Sequence, residues 1–225
     1  MITHLDRIIA DSGPPPAEGA GPDHPMRVVT RQVAFEPGGW TPERRARVAA
    51  LFDGLAPEWH TRNHPGRDAP LLDALDRGVG ASIAMPSTAT TTCLELGSGT
   101  GVTTASLAER FERVVALDLA LEMLRLAPAD AAPRVQADAA DLPFAEGSAD
   151  VVVLVNTLLF PAEIDRVLAP EGRLVWVNTR GPLTPIHLSA EDVIAALDGT
   201  GTWNALASEA GPGTWCVAWR GEPQA

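Results

Sequence analysis

Apolar positions fall into two regimes along the chain. Between residues 26 and 85 they recur at helical spacing: Val48, Leu51, Phe52 and Leu55 follow Thr41-Pro42-Glu43, and Pro57 closes the run. Threonine is a good N-cap and proline suits the first helical position, so a helix is expected to open there. A second helix is expected over Pro70–Arg77, with Leu71, Leu72 and Leu75 on one face and Gly78 just past its end. After Pro86 the period changes. Short, nearly continuous apolar runs at Thr91–Leu96, Arg113–Leu117, Arg134–Ala137, Val151–Val155 and Leu174–Val177 alternate with helix-like stretches at 102–112, 119–127, 162–168 and 189–197. Such runs predict a parallel sheet covered on both faces. Trp203–Ser208 and Thr214–Arg220 flank Ala210-Gly211-Pro212-Gly213 and read as a hairpin that puts one antiparallel strand into the sheet. The Pro- and Gly-rich segment 11–25 suits neither helix nor strand. The expected organisation is therefore a flexible tail over 1–25, a helical N-terminal lid segment over 26–85, and an α/β domain over 86–225. That domain is a doubly wound, mostly parallel, seven-stranded sheet with an antiparallel last strand.

Composition narrows what such a domain serves. The chain has 225 residues, a net charge of −12 and no lysine, its 17 basic residues all being arginine. An acidic chain is poorly suited to neutralising phosphates, so nucleic acid is not an expected partner. No apolar run reaches the roughly 18 residues that span a bilayer, and the first residues lack the basic start and long apolar stretch of a secretory signal. No membrane partner is expected. Cys93 and Cys216 lie in apolar, strand-like segments and read as buried free thiols, which fits a cytoplasmic location. The histidines show no metal-ligand spacing, so no metal is expected.

The most informative stretch is Leu94-Glu95-Leu96-Gly97-Ser98-Gly99-Thr100-Gly101, at the end of one strand and the start of a helix. Glycines there let backbone approach a ligand closely. Asp118 ends the next strand, 21 positions after Gly97, where a carboxylate can accept from both hydroxyls of a ribose. Nicotinamide dinucleotides and S-adenosylmethionine both use this layout. Val102 is too large for the third small position of the dinucleotide fingerprint, and Glu95 puts negative charge beside the loop. Both favour the cationic S-adenosylmethionine.

These residues resemble class I S-adenosylmethionine-dependent methyltransferases of the type 11, small-molecule kind, which have a Rossmann-like fold. Leu94–Gly101 is similar to their first motif. Asp118-Leu119-Ala120-Leu121-Glu122-Met123-Leu124 resembles the second, with Ala120 in place of the usual serine. Gln136-Ala137-Asp138-Ala139-Ala140-Asp141-Leu142-Pro143-Phe144 resembles the third, and Arg166–Leu174 the run into the fifth strand of that domain, with Glu171 for its first glycine. The resemblance implies that Gly97, Ser98, Gly99 and Gly101 line the methionine and ribose side and that Glu95 orients the cofactor amino group. It further implies that Asp118 binds the ribose, Leu119 and Met123 pack near the adenine, and Asp138 with the Ala139 amide reads the adenine edge. Asn156 would lie where methionine and acceptor meet. The implied function is methyl transfer to a small-molecule acceptor, with oxygen as the expected atom.

On the acceptor side, Trp59 stands where related enzymes carry a lid aromatic near the cofactor, and Arg62 could hold a carboxylate through two hydrogen bonds. His60, His64 and His187 are candidate catalytic bases, since histidine titrates near neutrality. Only six residues separate Asn156 from Glu163, leaving little chain after that strand to shape an acceptor site. Two other readings stand: a chain of this fold that binds the cofactor without methyl transfer, as a cyclase or partner subunit, and a nicotinamide-dependent oxidoreductase. Oligomeric state has no signature in the sequence.

Overall fold

A computed structural model describes residues 1–11, 21–63, 66–80 and 91–221. The expected strands are all present, as β2 (Thr92–Leu96), β3 (Arg113–Asp118), β4 (Arg134–Gln136), β5 (Ala149–Val155), β6 (Leu168–Asn178), β7 (Trp203–Ala210) and β8 (Gly213–Arg220). They lie in the order β7-β8-β6-β5-β2-β3-β4, with β8 alone running antiparallel to its neighbours.

The sheet has eight strands among the described residues, not the expected seven. β1 (Ile2–His4) pairs in parallel with Ala205–Ala207 at the far edge. The start of the expected flexible tail is thereby pinned: the Met1 ammonium donates to the Trp203 carbonyl at 2.9 Å, Leu5 N to Ala207 O at 2.8 Å and Gly211 N to Ile9 O at 3.0 Å. Three residues are too few for alternation to show, and their partner lies some two hundred positions away. Residues 12–20 lie outside the described residues.

Strand parity builds two cores. Leu94, Val152, Leu154, Leu174 and Trp176 face one way and pack with Ile164 of α6 (Pro161–Val167) and with Val193 and Leu197 of α7 (Ala190–Leu197). Cys93, Val151, Val153, Val175 and Val177 face the other way, against Leu71 of α3 (Ala69–Asp73) and Leu107 of α4 (Thr104–Ala108). Both cysteines are free and buried. Of the hairpin tryptophans, Trp203 and Trp215 are in the core, whereas Trp219 is half-buried beneath the Arg173 guanidinium, 5.2 Å from its ring centre.

The helix begun by α3 does not stop before Gly78. It continues as a wider, π-helical turn over Ala74–Val79, and a Cβ on Gly78 would come within 2.4 Å of Val217 Cγ2 and 3.0 Å of the Trp215 ring. Gly78 is a close-packing residue rather than a helix stop.

Two helices precede α3: α1 (Met26–Phe35) and α2 (Pro42–Leu55), the latter capped by the Thr41 hydroxyl, which accepts from Arg44 N at 3.2 Å. A 3₁₀ turn over Ala56–Arg62 follows α2. No residue of α2 is buried. Phe52 and Leu55 pack against small buried clusters, and the apolar stripe of the helix also lines cavities: Val48 and Phe52 one, Leu51, Phe52 and Leu55 another. Among the described residues no helix is long and apolar enough to cross a membrane.

Candidate active site

The chain leaves β3 and passes through β4 before returning to β5 on the opposite side of β2, so the strand order reverses between β2 and β5. Crevices open at the carboxyl ends of strands at such a reversal. Here the glycine loop leaves β2. Gly97, Gly99 and Gly101 adopt φ of 68°, 57° and 75°, the left-handed region that L side chains rarely enter. A Cβ on Gly97 would lie 2.5 Å from Thr157 Oγ1, so β5 and the loop can approach only around a glycine. The Ser98 hydroxyl lines the resulting cleft, buried and without a hydrogen-bond partner among the described residues. A buried hydroxyl of that kind calls for a ligand or water.

Asp118 closes the loop from below. Its Oδ2 accepts from Gly99 N and its Oδ1 from Ala120 N, each at 2.8 Å, while burial raises its pKa against those two bonds. Leu119, Met123 of α5 (Leu121–Leu126) and Ala139 line the same cleft. Asp138 sits across from Asp118 and is covered by a side chain that sequence reasoning missed: Trp40 Nε1 donates to both its oxygens, at 3.1 and 3.0 Å. Asp138 also accepts from Ala140 N at 2.9 Å and has Arg45 at 3.7 Å. Trp40 in turn meets Phe160 edge-on, with ring centres 5.3 Å apart.

Glu95 is not on the cleft wall. It shares the parity of Cys93, is 1% exposed, and gives its two oxygens to the hydroxyls of Thr103 and Thr104 at the start of α4. Burial pushes this carboxyl up to about 7, outweighing the two hydroxyls that favour its charged form. The electrostatic contrast that the sequence suggested for Glu95 is therefore weak at neutral pH. Val102, 39% exposed, lines the cleft and is not at a tight helix–strand contact, so its size does not exclude dinucleotides by the packing argument either.

A pH dependence of stability follows from Glu95. The folded chain keeps a proton that the unfolded chain releases near pH 4.5, so this contribution is full below pH 4.5 and is lost as pH rises through about 7. Glu95→Gln is expected to flatten the fall in melting temperature between pH 5 and pH 8. Thermal melts at pH 5, 6.5 and 8 check it; parallel curves for the two proteins would refute it.

Asn156 adopts φ 53°, the only non-glycine positive φ among the described residues. Its side chain ties the ends of β5 and β6 together, donating from Nδ2 to Thr179 Oγ1 at 2.8 Å and accepting from Thr179 N at 2.9 Å. Trp59 lies over the glycine loop: a Cβ on Gly99 would be 3.5 Å from its Nε1. Phe52 braces the Trp59 ring edge-on, and the Arg62 guanidinium stacks on it 5.1 Å from the ring centre.

The three histidine candidates are not brought together here. His60 is exposed and outside the cleft lining. His64 lies outside the described residues. His187 points away, between the sheet and α1, where its Nδ1 stands 3.0 Å from an Arg27 nitrogen. Burial and the Arg27 charge push its pKa down to about 4, leaving a neutral imidazole. Ile186 beside it faces the cleft instead.

Two further residues escaped the sequence reading. Arg67, in a Gly-Arg-Asp turn, lines both the cleft and an adjoining chamber; His24, inside the expected tail, lines that chamber. A lone arginine in a turn gives no signal of this, because the contact depends on where α3 docks.

Comparison with known proteins now discriminates between the cofactor classes. Residues 94–176 match the family model described as "Methyltransferase domain". Over that stretch the chain is similar to a methyltransferase domain. Over 139 residues it is 39% identical to the biotin biosynthesis bifunctional protein BioHC of Cellvibrio japonicus, covering 55% of this chain and 28% of that one. Over 160 residues it is 33% identical to the demethylmenaquinone methyltransferase of Clavibacter sepedonicus, covering 64% of this chain and 62% of the relative. The chain thus spans less than two thirds of these relatives. Among solved structures, the DhpI complex with S-adenosylhomocysteine superposes with a TM-score of 0.61 at 22% identity, covering 79% of this chain and 97% of that one, which establishes the fold alone. Of the cleft residues discussed, six lie outside the matched stretch: Trp40 from the turn between α1 and α2, Val48 and Phe52 from α2, Trp59 from the 3₁₀ turn after it, Arg67 from the turn before α3, and Ile186 from beyond β6.

Proposed function

We propose that this chain is an S-adenosylmethionine-dependent methyltransferase that methylates a small molecule at oxygen, with the helices before β2 serving as a lid. The observation that carries the reading is the cleft itself. Gly97 and Gly99 in left-handed conformation, an unsatisfied Ser98 hydroxyl and the Asp118 carboxylate converge at the strand-order reversal, while Gly101 turns toward Ala127 and Pro128, and this fits the cofactor on the chain's own geometry. Asp118 would hold the ribose hydroxyls, Leu119 and Met123 would flank the adenine, and Ser98 with the loop amides would meet the methionine end.

When bound, the cofactor supplies an electrophilic methyl carbon on a sulfonium. An ionised acceptor oxygen held in line with that carbon would take the methyl group, the electron pair of the carbon–sulfur bond staying on sulfur. The chain's part is to align the two reactants and exclude water, which can supply most of the acceleration. Trp59 and Asn156 line both the cofactor cleft and the adjoining chamber, at the point where such an alignment would be made. A cytoplasmic location fits the two free buried cysteines.

Calorimetric titration with S-adenosylmethionine, S-adenosylhomocysteine and NADH tests the cofactor. Micromolar binding of the adenosyl compounds without NADH supports the reading; the reverse overturns it. Release of S-adenosylhomocysteine with an acceptor panel then separates methyl transfer from cofactor binding without transfer.

A further inference from the structure

Arg67 stands where three cavities meet. It lines the cofactor cleft with Ser98 and Thr157, the adjoining chamber with Trp59, and a third space at the start of α4 with Val102 and Thr103. It is the only arginine among the described residues that line the cofactor cleft. The third space shares Val102, Thr103 and Val155 with the cleft and nothing of its Asp138 side, so Arg67 marks the end of the cleft away from Asp138. The docking of α3 fixes it there. Gly66 turns at φ 77°, Ala69 N donates to Gly66 O at 3.2 Å, and Pro70 lies so near Gly213 that a Cβ on that glycine would be 2.5 Å from Pro70 Cγ.

The guanidinium placed there has little to bind. Elsewhere Arg77 has Asp73 at 2.6 Å and Arg166 has Glu163 at 2.6 Å. Arg67 donates instead to one neutral acceptor, the Arg62 carbonyl at 2.9 Å, and no carboxylate among the described residues forms an ion pair with it. Asp68, next in the turn, is exposed. The two acids on the cleft wall are engaged at the other end, Asp118 by Gly99 N and Ala120 N, Asp138 by Trp40 and Ala140 N. Glu95 is turned away under α4. Burial is the main cause that lowers the Arg67 pKa, ahead of repulsion from Arg62 and Arg180. Arginine does not escape such a site by losing its proton, so its dehydration is offset only when an anion joins it.

Resting on the methyltransferase reading, we infer that Arg67 binds the carboxylate of the cofactor's methionine end. That carboxylate is the cofactor's one anionic group. With the adenosine end directed to Asp118 and Asp138, it falls at the end of the cleft that Arg67 occupies. The planar guanidinium fork suits a carboxylate through paired hydrogen bonds. Arg62 has a different part: its side chain stacks on Trp59, outside the cleft lining, and its carbonyl orients Arg67.

The test titrates two compounds calorimetrically into the whole chain: S-adenosylhomocysteine, and its decarboxylated analogue, which keeps the thioether and the amino group. The unaltered chain is expected to bind the first at least tenfold more tightly. Arg67→Gln is expected to weaken S-adenosylhomocysteine at least tenfold and to leave the decarboxylated compound within threefold, so that the preference collapses. Arg67→Lys, which keeps the charge without the fork, is expected to fall between. A merely structural role for Arg67 would weaken both compounds alike, and that result overturns the inference. So does a preference below threefold in the unaltered chain. Should Arg67→Gln fail to fold, Arg67→Lys and the comparison of the two compounds on the unaltered chain still decide. Equal, tight binding of both compounds removes the role of Arg67 and leaves the methyltransferase reading standing, whereas binding of neither overturns both.

Discussion

Asp118→Ala is expected to weaken S-adenosylhomocysteine binding by at least tenfold, about 1.4 kcal/mol. The carboxylate holds Gly99 N and Ala120 N at 2.8 Å each and faces the cleft, so its loss removes a ligand acceptor and frees the turn that shapes the loop. Hydrogen bonds to a charged group contribute about 1.5–3 kcal/mol each, which makes tenfold a lower bound. Because burial raises the Asp118 pKa, acidification protonates it earlier than an exposed aspartate, and binding is expected to weaken on the acid side in the unaltered chain but less so in Asp118→Asn. Calorimetry with circular dichroism checks both; an unchanged dissociation constant in a folded variant would exclude the ribose assignment.

Gly97→Ala is expected to be more damaging to the cleft. Two costs add. A left-handed conformation at φ 68° costs a non-glycine residue about 1–2 kcal/mol. The new methyl would also lie 2.5 Å from Thr157 Oγ1 and 2.8 Å from Thr157 Cβ, and Cβ is fixed to the backbone, so loop and strand end must separate. Overpacking of that kind costs about 1–3 kcal/mol more. The matched control is Gly147→Ala, at φ 65° with nothing within 4 Å of the added Cβ, which carries the first cost alone. Gly97→Ala should lower the melting temperature further than Gly147→Ala and reduce cofactor affinity at least thirtyfold, while Gly147→Ala leaves affinity within twofold. Equal effects of the two substitutions on affinity would show that the loop tolerates displacement.

What the sequence made legible follows from the range of the interactions involved. The strands at 113–118 and 149–155 are apolar along nearly their whole length because both faces are covered, so their positions read directly. The cofactor loop was legible because three glycines and one aspartate at fixed spacing are a local signature. Glu95 was placed on the right strand but given the wrong outlook: its parity with Cys93 turns it under α4, which spacing from the glycines does not reveal. His187 follows the same rule, since the neighbouring Ile186 takes the cleft side. Ile2–His4, Trp40 and Arg67 acquire their roles only through partners far along the chain, Trp203–Ala207, Asp138 and the α3 docking site. Nothing in a window around them differs from a tail, a linker or a surface turn.

The unburied α2 has a thermodynamic consequence. A helix with no buried residue, held only through Phe52 and Leu55 against small satellite clusters, draws less stability from the rest of the fold than the core elements do, so the free energy of opening it locally lies below that of global unfolding. Cofactor and acceptor would each cover part of that stripe, through Val48 and Phe52 in one case and Leu51 and Leu55 in the other. Whichever arrives first meets most of the ordering cost of the helix, and the second then binds to a segment already fixed. A first ligand on that stretch of fourteen residues is therefore expected to raise the affinity for the second, in addition to the direct contact that methyl transfer requires.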